Sequence, residues 1–410
     1  MARVNKEVTK SKKKDKRMAA KKDRMPKRMR VDEGLLTASR KYFVGFDTGV
    51  IITVIALCIF GILMVYSASY YTTTSLSDNP YYYLIRQMIW AGSGFVILVA
   101  AANFDYHKYY RYANLLIVIS IALLLMVLAF GINVNGATRW IGFGSFRITP
   151  SEFSKLFVII WTSVFLAKDP DNIHDKRGVL ILFGVMLAHA GLIIKQPNLS
   201  TAMVIVFIMM AIMFVAGLHP AWIGGGVAAA AGGTLIILNF LKDSHWYSRL
   251  TNWIDPFADA QGEGYQVSQS IIALGNGGLK GLGFSKGISK NLYLPEPQND
   301  FILAVIGEEF GYIGFLVLMA VYFILIFRLI VIALQAKDKL GFYLATGVSA
   351  IMGLQVIINV AVVTSSMPAT GITLPFISYG GTSIWVFMAA IGIALNVGKQ
   401  SDRRKVKAKR

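Results

Sequence analysis

The sequence predicts an all-α, polytopic membrane protein with about ten transmembrane helices and a large extracytoplasmic loop between the seventh and eighth. Three observations carry that prediction. The 410 residues are 55% hydrophobic and only 15% charged, with a mean hydropathy of +0.56, a balance no soluble globular chain of this size shows. Apolar runs long enough to cross ~30 Å of hydrocarbon recur along nearly the whole chain. The charge is concentrated at the ends. Residues 1–41 hold 16 Lys and Arg against 5 Asp and Glu, and residues 397–410 hold 7 against 1, so the two tails account for +17 of the net +19. Basic tails flanking a membrane domain point to anionic lipid on the inner side and not to nucleic acid.

The chain divides into a basic cytoplasmic tail over 1–44, expected to be disordered, a membrane domain over 45–398, and a second basic tail over 399–410. Cys58 is the only cysteine, so no disulfide forms within one chain. The spans are predicted at 47–69, 84–103, 113–131, 151–167, 178–194, 199–217, 220–241, 301–328, 340–364 and 371–396. With the first tail inside, Lys108 and Arg111, then Lys168, Lys176 and Arg177, then Arg328, Lys337 and Lys339 all fall in inner loops. An even number of spans also returns the last tail to the cytoplasm, as the excess of basic residues inside requires.

The outer loop, residues 242–300, carries 5 basic and 6 acidic residues, so translocation tolerates it. Six glycines between Gly275 and Gly287, interleaved with Lys280 and Lys286 and followed by Lys290, suit a backbone cradle for a phosphate; a flexible surface loop explains the glycines equally well. On the first reading the loop is a lid that moves during turnover. Asp300 follows Pro295 and Pro297 at the entrance of the eighth span, where a carboxylate can cap the helix or act as a partly desolvated base. Glu308 and Glu309 lie about two turns further on. Glu152 and Lys155, three apart at the start of the fourth span, share a face and can pair, either as structure or as part of a site. Arg139, beside Trp140, offers a planar fork to a phosphate, or an interfacial headgroup contact. Lys195-Gln196-Pro197-Asn198 forms another outer connection, and Pro368 to Ser383 brings Pro, Gly and hydroxyl residues into an apolar setting, the mark of a broken helix. No HExxH, Cys/His cluster, Walker motif or Gly-x-Ser-x-Gly elbow is present.

Three separated stretches resemble the SEDS family of bacterial peptidoglycan glycosyltransferases: Arg139-Trp140 through Pro150-Ser151-Glu152-Phe153-Ser154-Lys155, then YLPEPQNDFILAVIGEEFG over 293–311, then LPFISYGGTS over 374–383. The stretch ending at Asp300 is most similar to the division branch and its sporulation relatives. The resemblance implies polymerisation of lipid II, an undecaprenyl-linked disaccharide-peptide, at the outer face of the bacterial cytoplasmic membrane, at the division septum. It implies that Asp300 is the essential carboxylate and that Glu152 and Lys155 are the paired charges. Gln196-Pro197 matches a motif whose next position is commonly acidic; here it is Asn198. Arg139, Arg249, Lys280, Gln196 and Ser378 are the candidate substrate-binding residues. A divalent cation, Mg or Mn, could assist at the pyrophosphate, though no ligand motif marks a metal site. The expected partners are a class B penicillin-binding protein transpeptidase, other division proteins and anionic membrane lipid. A lipid II flippase and a non-enzymatic division scaffold are the alternatives.

Overall fold

The computed structural model describes residues 47–76, 79–134, 137–143, 146–222, 224–226, 253–258, 264–291 and 293–407. Ten α-helices are described: α1 (Thr48–Leu76), α2 (Tyr82–Asn103), α3 (Tyr109–Phe130), α4 (Pro150–Lys168), α5 (Lys176–Ile194), α6 (Leu199–Ala216), α7 (Tyr265–Gly277), α8 (Ile302–Leu334), α9 (Lys339–Val363) and α10 (Gly381–Lys407). Nine of them, all but α7, are long and apolar enough to cross a membrane. The multi-pass, all-α reading holds. Of the predicted seventh span, residues 220–222 and 224–226 are helical, and the rest lies outside the described residues.

The helices sort by polarity. α4 is the least hydropathic of the nine, with Glu152, Lys155, Thr162 and Ser163 along it, and it is among the most enclosed, together with α9 and α10. α2 and α3 expose most of their length, including Ile89, Val96, Leu115 and Val118. This is what a bilayer demands: apolar side chains face lipid, and polar ones are tolerated only against protein. The core between them is continuous, from Val54 and Met64 of α1 through Ile159 and Leu166 of α4 to Phe387 and Leu395 of α10.

The structure departs from the sequence reading in four places. Residues 132–148 form a small antiparallel meander, β1 (Ile132–Val134), β2 (Ala137–Phe143) and β3 (Phe146–Ile148), paired Ile132 with Trp140 and Ile141 with Ile148. The outer loop contains α7. The last helix begins at Gly381, and the ten residues before it, which the sequence reading joins to the helix, are not helical. The fourth departure is α8, which is interrupted at Gly311, where φ is 67° and ψ −168°.

The interruption of α8 is bridged by the glycine-rich chain after α7. Leu282 and Gly283 N–H groups donate to the Glu308 and Glu309 carbonyls, and Tyr312 and Ile313 N–H groups donate to the Gly278 and Leu279 carbonyls. Backbone groups freed by the break are thereby satisfied. A Cβ on Gly281 would stand 2.2 Å from the Glu309 carbonyl oxygen, so this approach needs glycine. Side chains fasten the same chain. Lys290 Nζ lies 2.6 Å from Glu309 Oε1, the Ser67 hydroxyl donates to that oxygen at 2.6 Å, and the Ser289 N–H and hydroxyl donate to Glu308. Both glutamates are fully buried. The stretch 278–290 is therefore fastened chain, not a slack loop.

At the opposite end of the bundle His107 sits between two carboxylates, its ring nitrogens 2.8 Å from Asp105 Oδ1 and from Asp338 Oδ2. The Gln400 amide of α10 donates to Asp105, and together with the His107 contacts it holds that carboxyl down at about 2 against the pull of partial burial. Partial burial pulls Asp338 upward, but hydrogen bonds from Gly341 N–H, the Tyr106 hydroxyl and His107 outweigh it and leave its pKa below the usual value. These contacts tie the end of α2, the start of α9 and the C-terminal part of α10 together.

Candidate active site

Asp300 stands one residue before the N-cap of α8. Phe301 occupies that position with φ −100°, and its side chain makes no capping hydrogen bond. Asp300 is half-buried. The chain that delivers it is anchored by the Tyr379 N–H, which donates to the Gln298 carbonyl at 2.9 Å, and by Asn359 Nδ2, which donates to the Asp300 carbonyl at 2.7 Å.

Arg139 reaches the same place from β2. A Cβ built on Gly371 would lie 3.7 Å from Asp300 Oδ2 and 4.0 Å from Arg139 Nη1, so a carboxylate and a guanidinium approach one point over a residue with no side chain. Gly371 has φ +69°, a conformation that favours glycine. Arg139 also donates to the Pro197 carbonyl, which links β2 to the Gln196-Pro197 connection.

The broken segment 364–380 forms the wall of this site. Five of its carbonyls accept from side chains of surrounding helices: Thr370 from Ser200 of α6, Ile372 from Asn359 of α9, Thr373 from Gln355 of α9, Pro375 from Tyr322 of α8, and Ser378 from Gln87 of α2. An unwound backbone at membrane depth is tolerated only with such partners. Behind the wall, Lys155 Nζ lies 2.7 Å from Glu152 Oε1, with Lys155 almost fully buried, and it sits 5.7 Å from the Phe387 ring centre.

The candidate residues thus fall into separate groups. Asp300 and Arg139 come together, and Glu152 and Lys155 pair with each other. Gln196 is buried, its amide donating to the Leu124 carbonyl at 2.9 Å, and Asn198 caps α6 by accepting from Thr201 N–H. Ser378 is buried, and its hydroxyl accepts from Leu374 N–H at 2.8 Å, closing a turn of the broken segment. Lys280 is exposed on the chain that bridges the α8 break. Arg249 lies outside the described residues. Lys290, expected to face a phosphate, is buried and pairs with Glu309 of α8. Sequence reasoning missed Gln355, Asn359 and Gln87; the one signal for them was an amide inside an apolar span, a position where a polar side chain needs a partner.

Comparison with known proteins decides the family. The model of the cell cycle protein family that groups FtsW, RodA and SpoVE matches residues 48–403. The chain belongs to this family. It is 38% identical over 356 residues to the stage V sporulation protein E of Bacillus subtilis, covering 86% of this chain and 96% of that one. It is 36% identical over 356 residues to a probable peptidoglycan glycosyltransferase FtsW of Trichlorobacter lovleyi, covering 86% and 93%. Among solved structures, a chain of a peptidoglycan synthase complex described as coordinating polymerization and crosslinking superimposes with a TM-score of 0.72 at 25% identity, over 88% of this chain and 99% of that one. The rod shape determining protein RodA of Thermus thermophilus gives 0.64 at 26% identity, over 87% and 97%. The family match spans Arg139, Glu152, Lys155 and Asp300.

Proposed function

We propose that the protein is a peptidoglycan glycosyltransferase that polymerises lipid II into glycan strands at the outer face of the bacterial cytoplasmic membrane, in cell division. The observation that carries this reading is the approach of the Asp300 carboxylate and the Arg139 guanidinium to one point beside Gly371, at the end of a lipid-facing bundle of this family. The acceptor sugar 4-hydroxyl attacks C1 of the donor sugar, and Asp300 takes the hydroxyl proton. The bond from C1 to the pyrophosphate oxygen breaks, and undecaprenyl pyrophosphate leaves with that electron pair. Arg139 and the exposed Lys280 offset the charge that develops on it. Gln196 and Ser378, both buried in backbone contacts, shape the walls in this scheme; Arg249 is proposed for the substrate on its charge alone.

Among the described residues no three His, Cys, Asp or Glu side chains gather into a metal-holding group. Asp300 is the carboxylate placed to help hold a Mg or Mn cation at the site, and the cation would supply charge neutralisation at the pyrophosphate. No step above runs through one.

The proposed orientation places both termini in the cytoplasm, with the basic tails at anionic lipid. A class B penicillin-binding protein transpeptidase is the proposed partner, alongside other division proteins at the septum. Support comes from the structural neighbour, which belongs to a complex that coordinates polymerization and crosslinking. The test is purified protein with labelled lipid II in detergent. A ladder of glycan polymer is expected. No polymer from folded protein, with lipid II crossing the bilayer in vesicles instead, would replace this reading by a flippase; neither activity would leave a scaffold.

A further inference from the structure

The buried Glu152–Lys155 pair and Asp300 belong to different helices, and nothing in the proposed chemistry explains why a charge pair should sit behind the site. Helix α9 supplies the connection. Gln355 and Asn359 are four apart and therefore on one face. The neighbours of Gln355 orient its amide: Oε1 accepts from Lys155 Nζ at 2.6 Å, and Nε2 donates to the Thr373 carbonyl at 3.0 Å. Asn359 Nδ2 donates to two carbonyls, Asp300 at 2.7 Å and Ile372 at 2.8 Å. The Asn359 amide uses both N–H bonds this way and leaves its Oδ1 buried without a hydrogen bond. The opposite orientation would set that oxygen against two carbonyl oxygens, so the double donation fixes the side chain.

We propose that Gln355 and Asn359 are positioning residues, which carry the placement set by the Glu152–Lys155 pair through the broken segment to Asp300. The order of contacts is Glu152, Lys155, Gln355, the adjacent carbonyls of Thr373 and Ile372, Asn359, and the carbonyl of Asp300. Gln355 and Asn359 hold backbone that has no helical partner, so the position of the carboxylate depends on side chains of α9 and not on α8 alone. This inference rests on the reading of Asp300 as the base, and its test is built so that the two can fail separately.

The variants are Asn359→Asp, Asn359→Leu, Gln355→Leu, Lys155→Met and the Gln355→Leu/Lys155→Met double, in the full chain. Misplacing a base by a fraction of a bond length should lower kcat for lipid II polymerisation on the order of 10²-fold. KM should stay within about threefold, because substrate grip is unchanged. Gln355→Leu and Lys155→Met should not multiply: the double variant should lose no more kcat than the worse single. Amide hydrogen exchange read over 298–303 and 370–380 should rise in Asn359→Leu, and it should rise in Lys155→Met as well, although Lys155 touches neither segment. Melting temperatures of the same preparations identify variants that have simply unfolded, and Asn359→Asp, nearly the same size as asparagine, keeps the shape while replacing both donated hydrogen bonds by oxygen–oxygen contacts. Multiplicative losses in kcat, unchanged kcat in folded Asn359→Asp, or wild-type exchange at both segments in Lys155→Met would each overturn the proposal. A wild-type protein that makes no polymer would remove the reaction assigned to Asp300, and the exchange comparison would still decide the link.

Discussion

Asp300 is the residue on which the proposed reaction turns. Phe301 takes the N-cap position, and the carboxylate at the mouth of α8 is half-buried beside a guanidinium. Asp300→Asn preserves size and removes the proton acceptor; polymerisation should fall by about 10²–10⁴-fold with insertion and melting temperature unchanged. Near-wild-type polymer from this variant would end the assignment. Glu152 and Lys155 make a different prediction. Their pair is almost fully enclosed, so Lys155→Ala should destabilise the protein by about 3–5 kcal/mol by stranding a carboxylate. The double alanine variant should melt above the worse single, because it strands no charge; a double variant that melts lower refutes the pairing. At the other end, Asp105 has a pKa of about 2 in the fold against 3.8 as an ordinary carboxylate. A depressed folded pKa contributes stability above the unfolded value and loses it as pH falls through the folded one. The melting temperature should therefore decline as pH drops from 3.8 to about 2, and Asp105→Asn should flatten that decline. The charged candidates were legible in the sequence because a Glu, Lys or Asp inside an apolar chain stands out. Gln355 and Asn359 were not: an amide in an apolar helix takes on meaning only when the fold brings a carbonyl to it.

At the level of elements, the helices that face lipid were readable from length and hydropathy, and the places where helices stop were not. Pro368 and Gly371 mark a break, yet nothing local says that the helix resumes only at Gly381; five side chains from four other helices hold the segment open. The meander over 132–148 is three short strands, too brief for alternation to register. The glycine-rich chain after α7 reads equally well as slack loop or as cradle, and its true partner, the break in α8, lies about thirty residues further along the sequence. That pairing turns Gly311 into a test. Its φ of +67° and a Cβ that would stand 2.4 Å from Gly281 N leave no room for alanine. Gly311→Ala should destabilise by at least about 1–3 kcal/mol. It should also loosen 278–290, read as faster amide exchange there; unchanged melting and exchange would mean the break is not held as described.

Across the whole molecule, the division between tails and membrane domain separates attraction from chemistry. The two tails carry +17 of the net +19, while Asp300, Arg139, Glu152, Lys155 and the α9 amides all lie between residues 139 and 373 or support that stretch. The family match likewise begins at residue 48, after the first tail has ended. Basic residues close to an anionic leaflet each contribute about 1 kcal/mol of binding, a term that fades with salt. On the proposed orientation the tails raise residence at the membrane and at partners and take no part in the chemistry assigned to Asp300 at the start of α8. A chain beginning at Lys41 should polymerise lipid II in detergent at a rate close to that of the full protein, since detergent presents no anionic leaflet to attract. In vesicles, the truncated and full chains should differ in how strongly anionic lipid clusters around them, and that difference should shrink as salt rises. Lost polymerisation in a truncated chain that still inserts and melts like the full one would place the first tail in the catalytic cycle, and the separation argued here would fail.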